Sequence, residues 1–229
     1  MDYKTQTIAI TKDAVAEMPT VAFRGGITVV DTPEKARVAL RELTRARIVG
    51  FDTETRPSFH RGRLHKVALM QLSTEEHCFL FRLNILGIPL HLRRFLENPD
   101  IIKIGLSVHD DYSVLRRLAE DLQPQGFVDL QDYVKFFNIH DLSLQKIYAI
   151  IFGGKISKNQ RLTNWEAPEL TPQQQVYAAT DAWACLKLYR YLRSGRYNPD
   201  DSPYIVDRSS LDQPHKTQEE KHTQPETRP

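Results

Sequence analysis

Residues 48–55 read IVGFDTET, and the reading of this octapeptide decides the fold. Its apolar opening has the composition of a buried β-strand, which runs over residues 48–54. Asp52 and Glu54 close it. Side chains two apart on a strand point to the same face, so the two carboxylates emerge together at the strand's C-terminal end. A carboxylate pair at a strand end is also ordinary surface chemistry, and the pair does not by itself declare a site.

Outward from this strand, residues 66–73 and 77–83 read as two more strands, divided by the polar turn Thr74-Glu75-Glu76. Three successive strands joined by a short turn predict antiparallel pairing. Upstream, residues 27–30 form a short β-rich run, after which Thr32 caps and Pro33 opens a helix to about residue 43. Downstream, helix and strand alternate: a helix over 86–96, a strand over 101–106, a helix over 110–122 and a strand over 127–130. Two final helices cover 142–152 and 171–192. Late strands separated by helices imply parallel additions to the sheet. The fold class is therefore α/β, a mixed sheet of about five strands flanked by helices. In the last helix Val176, Ala179, Trp183, Leu186 and Tyr189 give an apolar face able to pack on the sheet.

The chain has 229 residues, 41% apolar and 26% charged, with a formal net charge of +2. That length suits one sizeable core plus appendages. A charge so near balance advertises no global basic field, so a nucleic-acid surface must come from local clusters of Lys and Arg. The two cysteines, Cys78 and Cys185, lie far apart without CxxC spacing; buried thiols are expected rather than a zinc site or a disulfide. No stretch approaches the roughly 20 apolar residues that span a bilayer, and no secretory pattern opens the chain. An intracellular setting is expected, cytoplasmic in a bacterium. Residues 1–26 form an N-terminal extension with a short helix over 12–18 stopped by Pro19, residues 27–195 the folded domain, and residues 196–229 a polar tail expected to be disordered.

Two further acidic segments accompany the octapeptide. In KIGLSVHDDYSVLRRL (103–118) a buried strand feeds a helix with Asp110 and Asp111 near its start. The helix dipole favours acids there, which accounts for one aspartate and leaves the other to be explained. In QQQVYAATDAWACLKLY (173–189), Tyr177 and Asp181 lie four apart and share a helix face. Each motif alone is compatible with plain structure, as capping in one case and a core Tyr beside a solvated Asp in the other. Together they can bracket hard cations: Mg²⁺ and Mn²⁺ favour carboxylate oxygens, and a pair of such ions activates water and stabilises a leaving oxyanion in phosphodiester hydrolysis.

The order DxE, an Asp in a strand-to-helix segment, then YxxxD resembles the DEDD superfamily of 3′-to-5′ exonucleases in its Tyr subtype. The likeness covers roughly residues 27–195. The flanking words GFDTETRPSFHRGRLHKVALMQLS, KIGLSVHDDYSVL and TNWEAPELTPQQQVYAATDAWACLKLY are most similar to exonuclease domains of the Werner type and more distantly to ribonuclease D. The resemblance implies a ribonuclease H-like fold and two divalent cations, Mg²⁺ or Mn²⁺. It implies that Asp52 bridges the two ions, that Glu54 and Asp181 complete the nucleophile-side ion, with Glu54 also reaching the terminal 3′-hydroxyl, and that Asp111 serves the other ion through water. Tyr177 would orient the attacking water. The sister subtype carries a His five before the last Asp; that position is Val176 here, and His109 lies beside a different carboxylate. The choice of Asp111 over Asp110 rests on alignment to the family pattern from Gly105.

The expected partner is a nucleic-acid 3′ end, with DNA favoured by the Werner-type likeness. Arg56, Arg61, Arg63, His65 and Lys66 follow the DxE pair and could meet phosphates or simply decorate a solvated loop. Lys155, Lys158, Arg161 and Trp165 precede the last helix; cations with an aromatic suit a single strand, although Trp165 equally fits the core. Gly153-Gly154-Lys155 is not a phosphate loop, because Ile156 stands where Ser or Thr is required. Competing readings are a ribonuclease D-like RNA-trimming enzyme, a binding module that has lost catalysis, which predicts a missing acid or Tyr, and a structural interaction protein, which predicts indifference to Mg²⁺ and to nucleic acid. All five motif residues are present.

Overall fold

The computed structural model describes residues 1–58 and 65–211. Its centre is a six-stranded mixed sheet: β3 (Gly26–Val30), β4 (Ile48–Thr55), β5 (Val67–Ser73), β6 (His77–Arg82), β7 (Ile102–Gly105) and β8 (Phe127–Asp129), ordered β3-β6-β5-β4-β7-β8. The expected strand segments all lie in it, and the count is six rather than about five. Pairing follows the connections. β4, β5 and β6 form an antiparallel meander, while β3 joins β6, β7 joins β4 and β8 joins β7 in parallel.

Helix α2 (Pro33–Ala46) carries β3 back to the start of β4, its N-terminus capped by the Thr32 hydroxyl. Its buried Ala36, Ala39, Leu40 and Leu43 pack with Phe51, Met70, Leu72, Phe79 and Phe81 on one face of the sheet. α4 (Leu90–Leu96) completes that layer. The helix expected over 86–96 is split: a short α3 (Leu83–Leu86) ends at Gly87, whose φ of +60° turns the chain, and Pro89 precedes α4. Proline cannot continue the upstream ladder, hence the break.

The opposite face is covered by α8 (Pro172–Arg193), opened by a capping box between Thr171 and Gln174. This helix is buried well beyond the single expected face; Val176 and Trp183 are only half-buried, whereas Tyr177, Ala178, Ala179, Ala182, Cys185, Leu186 and Tyr189 are buried. α7 (Leu144–Phe152) and the two-stranded pair β2 (Thr20–Val21) and β9 (Lys155–Ile156) pack around it, so more of its circumference is dry. Gly50 is what lets α8 lie against β4: a Cβ there would come within 1.8 Å of the Ala182 carbonyl oxygen.

The termini depart from expectation. β1 (Gln6–Ile8) pairs antiparallel with β10 (Ile205–Asp207), and Tyr204 and Ile205 pack with buried Ile8, Ile139 and Leu188. Residues 205–207 therefore belong to a small sheet instead of a free tail, and residues 212–229 lie outside the described residues. α1 (Lys12–Ala16) forms the short helix expected ahead of Pro19. Cys78 and Cys185 are buried free thiols. Among the described residues no helix is long and apolar enough to cross a membrane.

Candidate active site

β4 delivers the first two acids. Asp52 pairs in register with Gln71, and the ladder slips between Glu54 and Thr55. Such a bulge bends a strand and re-aims its last side chains. Because Gly50 admits α8 closely, Asp181 on that helix meets them: one oxygen each of Asp52, Glu54 and Asp181 lie within 4.8 Å of one another. Tyr177, one turn before Asp181 on the same helix, sets its phenol against that carboxylate, and the two interact electrostatically. Trp165 lies behind Tyr177 with ring centroids 5.9 Å apart.

Asp111 enters from α5 (Val108–Arg116), whose start is fixed by a turn in which Ser107 takes a φ of +60°. This left-handed conformation is costly for a residue with a Cβ and needs compensation. Asp129, at the end of β8, supplies it by accepting hydrogen bonds from the Ser107 and Val108 N–H groups at 3.0 Å each. The two neighbouring aspartates then divide. Asp110 accepts a bond from the Ser107 hydroxyl at 2.9 Å, while the Asp111 carboxylate accepts one from Thr53, between Asp52 and Glu54. Asp111 thus stands beside the three-acid group without joining its closest set.

Crowding and burial make these carboxylates hold their protons. Burial, then the charges of Glu54, Asp181 and Asp111, push Asp52 well above the usual range. Glu54 is raised to about 9 by burial and by Asp181 and Asp111, against a small opposing pull from Arg161. Burial lifts Asp181 to about 7, opposed by the Tyr177 phenol and Lys158. It lifts Asp111 to about 7 as well, opposed by the Thr53 hydroxyl and assisted by Asp110 and Asp129. Tyr177 is pushed up by burial and by Asp181, Glu54 and Asp52, and stays a neutral phenol at any working pH. A site in which several acids hinder one another's ionisation is suited to a cation that relieves the repulsion.

The donor set fits such a cation: hard carboxylate oxygens from separate elements are what Mg²⁺-class ions take. A second observation agrees. Gln71, fully buried and paired with Asp52, has neither its amide nitrogen nor its amide oxygen satisfied by protein. Buried polar atoms usually find a partner, and a hydrated ion between Asp52 and Gln71 would provide one.

A model of the 3′-5′ exonuclease family matches residues 27–195. The chain belongs to that family. The mouse bifunctional 3′-5′ exonuclease/ATP-dependent helicase WRN is 34% identical over 152 residues, 63% of this chain and 11% of that protein. An Arabidopsis thaliana 3′-5′ exonuclease is 30% identical over 196 residues, 76% of this chain and 66% of the relative. This chain therefore spans from about a tenth to just under two thirds of the length of these relatives. Among solved structures, Escherichia coli RNase D, an exoribonuclease involved in structured RNA processing, superposes with a TM-score of 0.65 at 24% identity, covering 74% of this chain and 44% of that one. It supports the ribonuclease H-like fold. DEDD exonucleases depend on divalent metals, and the carboxylate cluster is where this domain would hold them.

The basic candidates separate. Lys158 and Arg161 are exposed on the loop before α8, and their charges act on Asp181 and Glu54. Arg56 is instead engaged by Glu166 at 3.2 Å, and His65 approaches the same carboxylate at 3.3 Å. Lys155 donates to the Ala16 carbonyl, tying β9 to α1. Lys66 is exposed, and Arg61 and Arg63 lie outside the described residues. Trp165 is fully buried in the core with Leu69, Leu80 and Ala178, so it supports Tyr177 rather than offering a stacking face to a strand. Beside Tyr177 a cavity of about 410 Å³ opens between Val21, Ile156, Asn159, Gln160 and Val176. Sequence reasoning missed Thr53, Gln71 and Asp129. Thr53 was hidden between the two acids, and the others become visible only through strand register and the turn they pin.

Proposed function

We propose that this domain hydrolyses the terminal phosphodiester of a nucleic-acid 3′ end, releasing nucleoside 5′-monophosphates with two divalent ions, Mg²⁺ or Mn²⁺, and that DNA is its preferred substrate. The observation that carries the reading is the convergence of Asp52, Glu54 and Asp181 within 4.8 Å beneath Tyr177. Bound ions would supply an activated water and charge neutralisation at the leaving oxygen. Asp52, central to the cluster, would hold both ions; Glu54 and Asp181 would share one, and Asp111, steadied by Thr53, would serve the other. The Tyr177 phenol, held neutral beside Asp181, has lone pairs with which to orient water. It has no capacity to act as a base. Lys158 and Arg161 border the acids from the solvent side and suit the phosphates of the entering strand. The preference for DNA rests on the likeness of the flanking words to Werner-type exonuclease domains, and it stands against a sequence likeness to ribonuclease D of similar identity.

The test is degradation of matched 5′-labelled single-stranded DNA, recessed-end duplex DNA and RNA, with Mg²⁺, Mn²⁺ or EDTA. A 3′-shortening ladder that disappears with EDTA and in Asp52→Ala is expected, strongest on DNA. A ladder confined to RNA would overturn the substrate preference. No ladder on any substrate, from protein shown to be folded, would overturn the activity.

A further inference from the structure

On the face of the sheet opposite the acids, three arginines of α2 fall at positions 37, 41 and 45. Four-residue spacing aligns them in one row with a rise of about 6 Å per step, the scale on which phosphates repeat along a strand. α4 sets His91 and Arg94 across from them, and the two helices enclose a groove of about 510 Å³ floored by Leu40, Phe95 and Ile101. All five basic side chains are exposed. In a chain whose net charge is only +2, such a concentration is local. Arg37 has a loose ion pair with Glu34 at 3.7 Å, but Arg41, Arg45 and Arg94 have no carboxylate within ion-pair distance among the described residues. The neighbouring Arg93 shows the contrast, being occupied by both Glu97 and Asp121.

We propose that this groove is a second nucleic-acid site, which grips the phosphate backbone of the substrate away from its 3′ end. The inference rests on the activity proposed above. The choice of partner follows from the groove's make-up. Its apolar floor is already buried in the core, Leu40 being 7% and Phe95 4% exposed, so it offers charge and little apolar area. A protein partner draws its affinity largely from apolar contact at an interface centre, whereas a phosphate backbone draws it from cations and released counterions. Guanidinium forks match phosphate oxygens two at a time. Topology sets the two sites apart. β3 and β4 run parallel, so the Arg45 end of α2 lies near the start of β4 on one face of the sheet, whereas Asp52 and Glu54 lie four and six residues along it on the other face, about 13 and 20 Å from that start. A trinucleotide in the acidic cleft would not reach the groove. A strand of several tens of nucleotides, or the duplex behind a recessed end, would.

The test compares the wild-type chain with the triple variant R41Q/R45Q/R94Q, which removes charge while keeping hydrogen-bonding side chains. Binding of a labelled 30-nucleotide strand is read by anisotropy in EDTA, so that it does not depend on turnover. Expected are an affinity loss of 10-fold or more at low salt and a salt-dependence slope shallower by about 2, at about 0.7 per lost phosphate contact. With Mg²⁺, KM for the long strand should rise by a similar factor, with kcat and the kcat/KM for a trinucleotide held within twofold. Unchanged binding of the long strand would overturn the proposal and leave the groove to an acidic protein surface. Equal losses on both lengths would overturn it too, since they would report a damaged cleft. If the wild-type chain cut nothing, the activity reading would fail, while the anisotropy arm would still decide whether the groove binds nucleic acid.

Discussion

Replacing Glu54 with Gln should abolish turnover and stabilise the metal-free fold, because the two properties draw on the same charge. In the folded chain Glu54 keeps its proton to about pH 9, while an unfolded chain releases it near 4.5. The folded value is the higher one. The stability it confers is therefore complete below about pH 4.5 and is withdrawn as pH rises towards 9, because the unfolded chain gains by ionising. Gln resembles the protonated acid and denies the unfolded chain that gain. Each tenfold difference in proton affinity is worth about 1.4 kcal/mol, so at pH 7.5 the ceiling is about 4 kcal/mol. Relaxation and water entry in a buried charged site reduce such penalties, and about 2 kcal/mol is the working figure. For a chain of this size that is a rise in Tm of about 4–8 °C. The assay is urea and thermal unfolding of both proteins in EDTA at pH 5 and pH 7.5. The difference between them should be near zero at the lower pH and should open at the higher. Mg²⁺ should stabilise the wild type more than the variant, because an ion bound by the cluster is lost with one of its ligands. A variant no more stable than the wild type at pH 7.5, or a difference independent of pH, would refute the view that Glu54 is held protonated by its surroundings.

Two other changes separate chemistry from architecture. Tyr177→Phe keeps the ring that packs on Trp165 and removes the hydroxyl that reaches Asp181, so kcat should fall by about 10²-fold with Tm within a few degrees of wild type; steady-state kinetics beside calorimetry reads both, and an unimpaired kcat would remove Tyr177 from the reaction. Gly50→Ala forces a Cβ onto the Ala182 carbonyl and should cost about 3 kcal/mol or more by separating α8 from β4, with loss of activity even where the protein remains folded; denaturant titration with the exonuclease assay checks it, and a stable, fully active variant would show that the close approach is dispensable.

What could be read from the chain alone depended on how local the signal was. The strands were legible because each is a compact apolar run bounded by polar turns, and the capping of α2 announced itself in the Thr-Pro pair at 32–33. The small terminal sheet was not legible: Ile205–Asp207 is three residues in a polar stretch, and its stability comes from a partner nearly 200 positions away. The same distinction runs through the site. Asp52, Glu54, Tyr177 and Asp181 sit at spacings that their own element's periodicity turns into a shared direction. Asp110 and Asp111 are adjacent on one helix, and periodicity could not choose between them. Groups outside the helix part the two: the Ser107 hydroxyl takes Asp110, Thr53 on β4 takes Asp111, and Asp129 on β8 holds the turn that presents them both. Lys155 and Arg56 show how composition can suggest a surface for nucleic acid where tertiary partners engage the side chains, while Trp165 takes the core position that its sequence context equally allowed. Charge in a sequence becomes available to a ligand only where folding leaves it without a carboxylate, and by that criterion Lys158 and Arg161 at the cleft and Arg41, Arg45 and Arg94 on the far face are the cations best placed to meet phosphate.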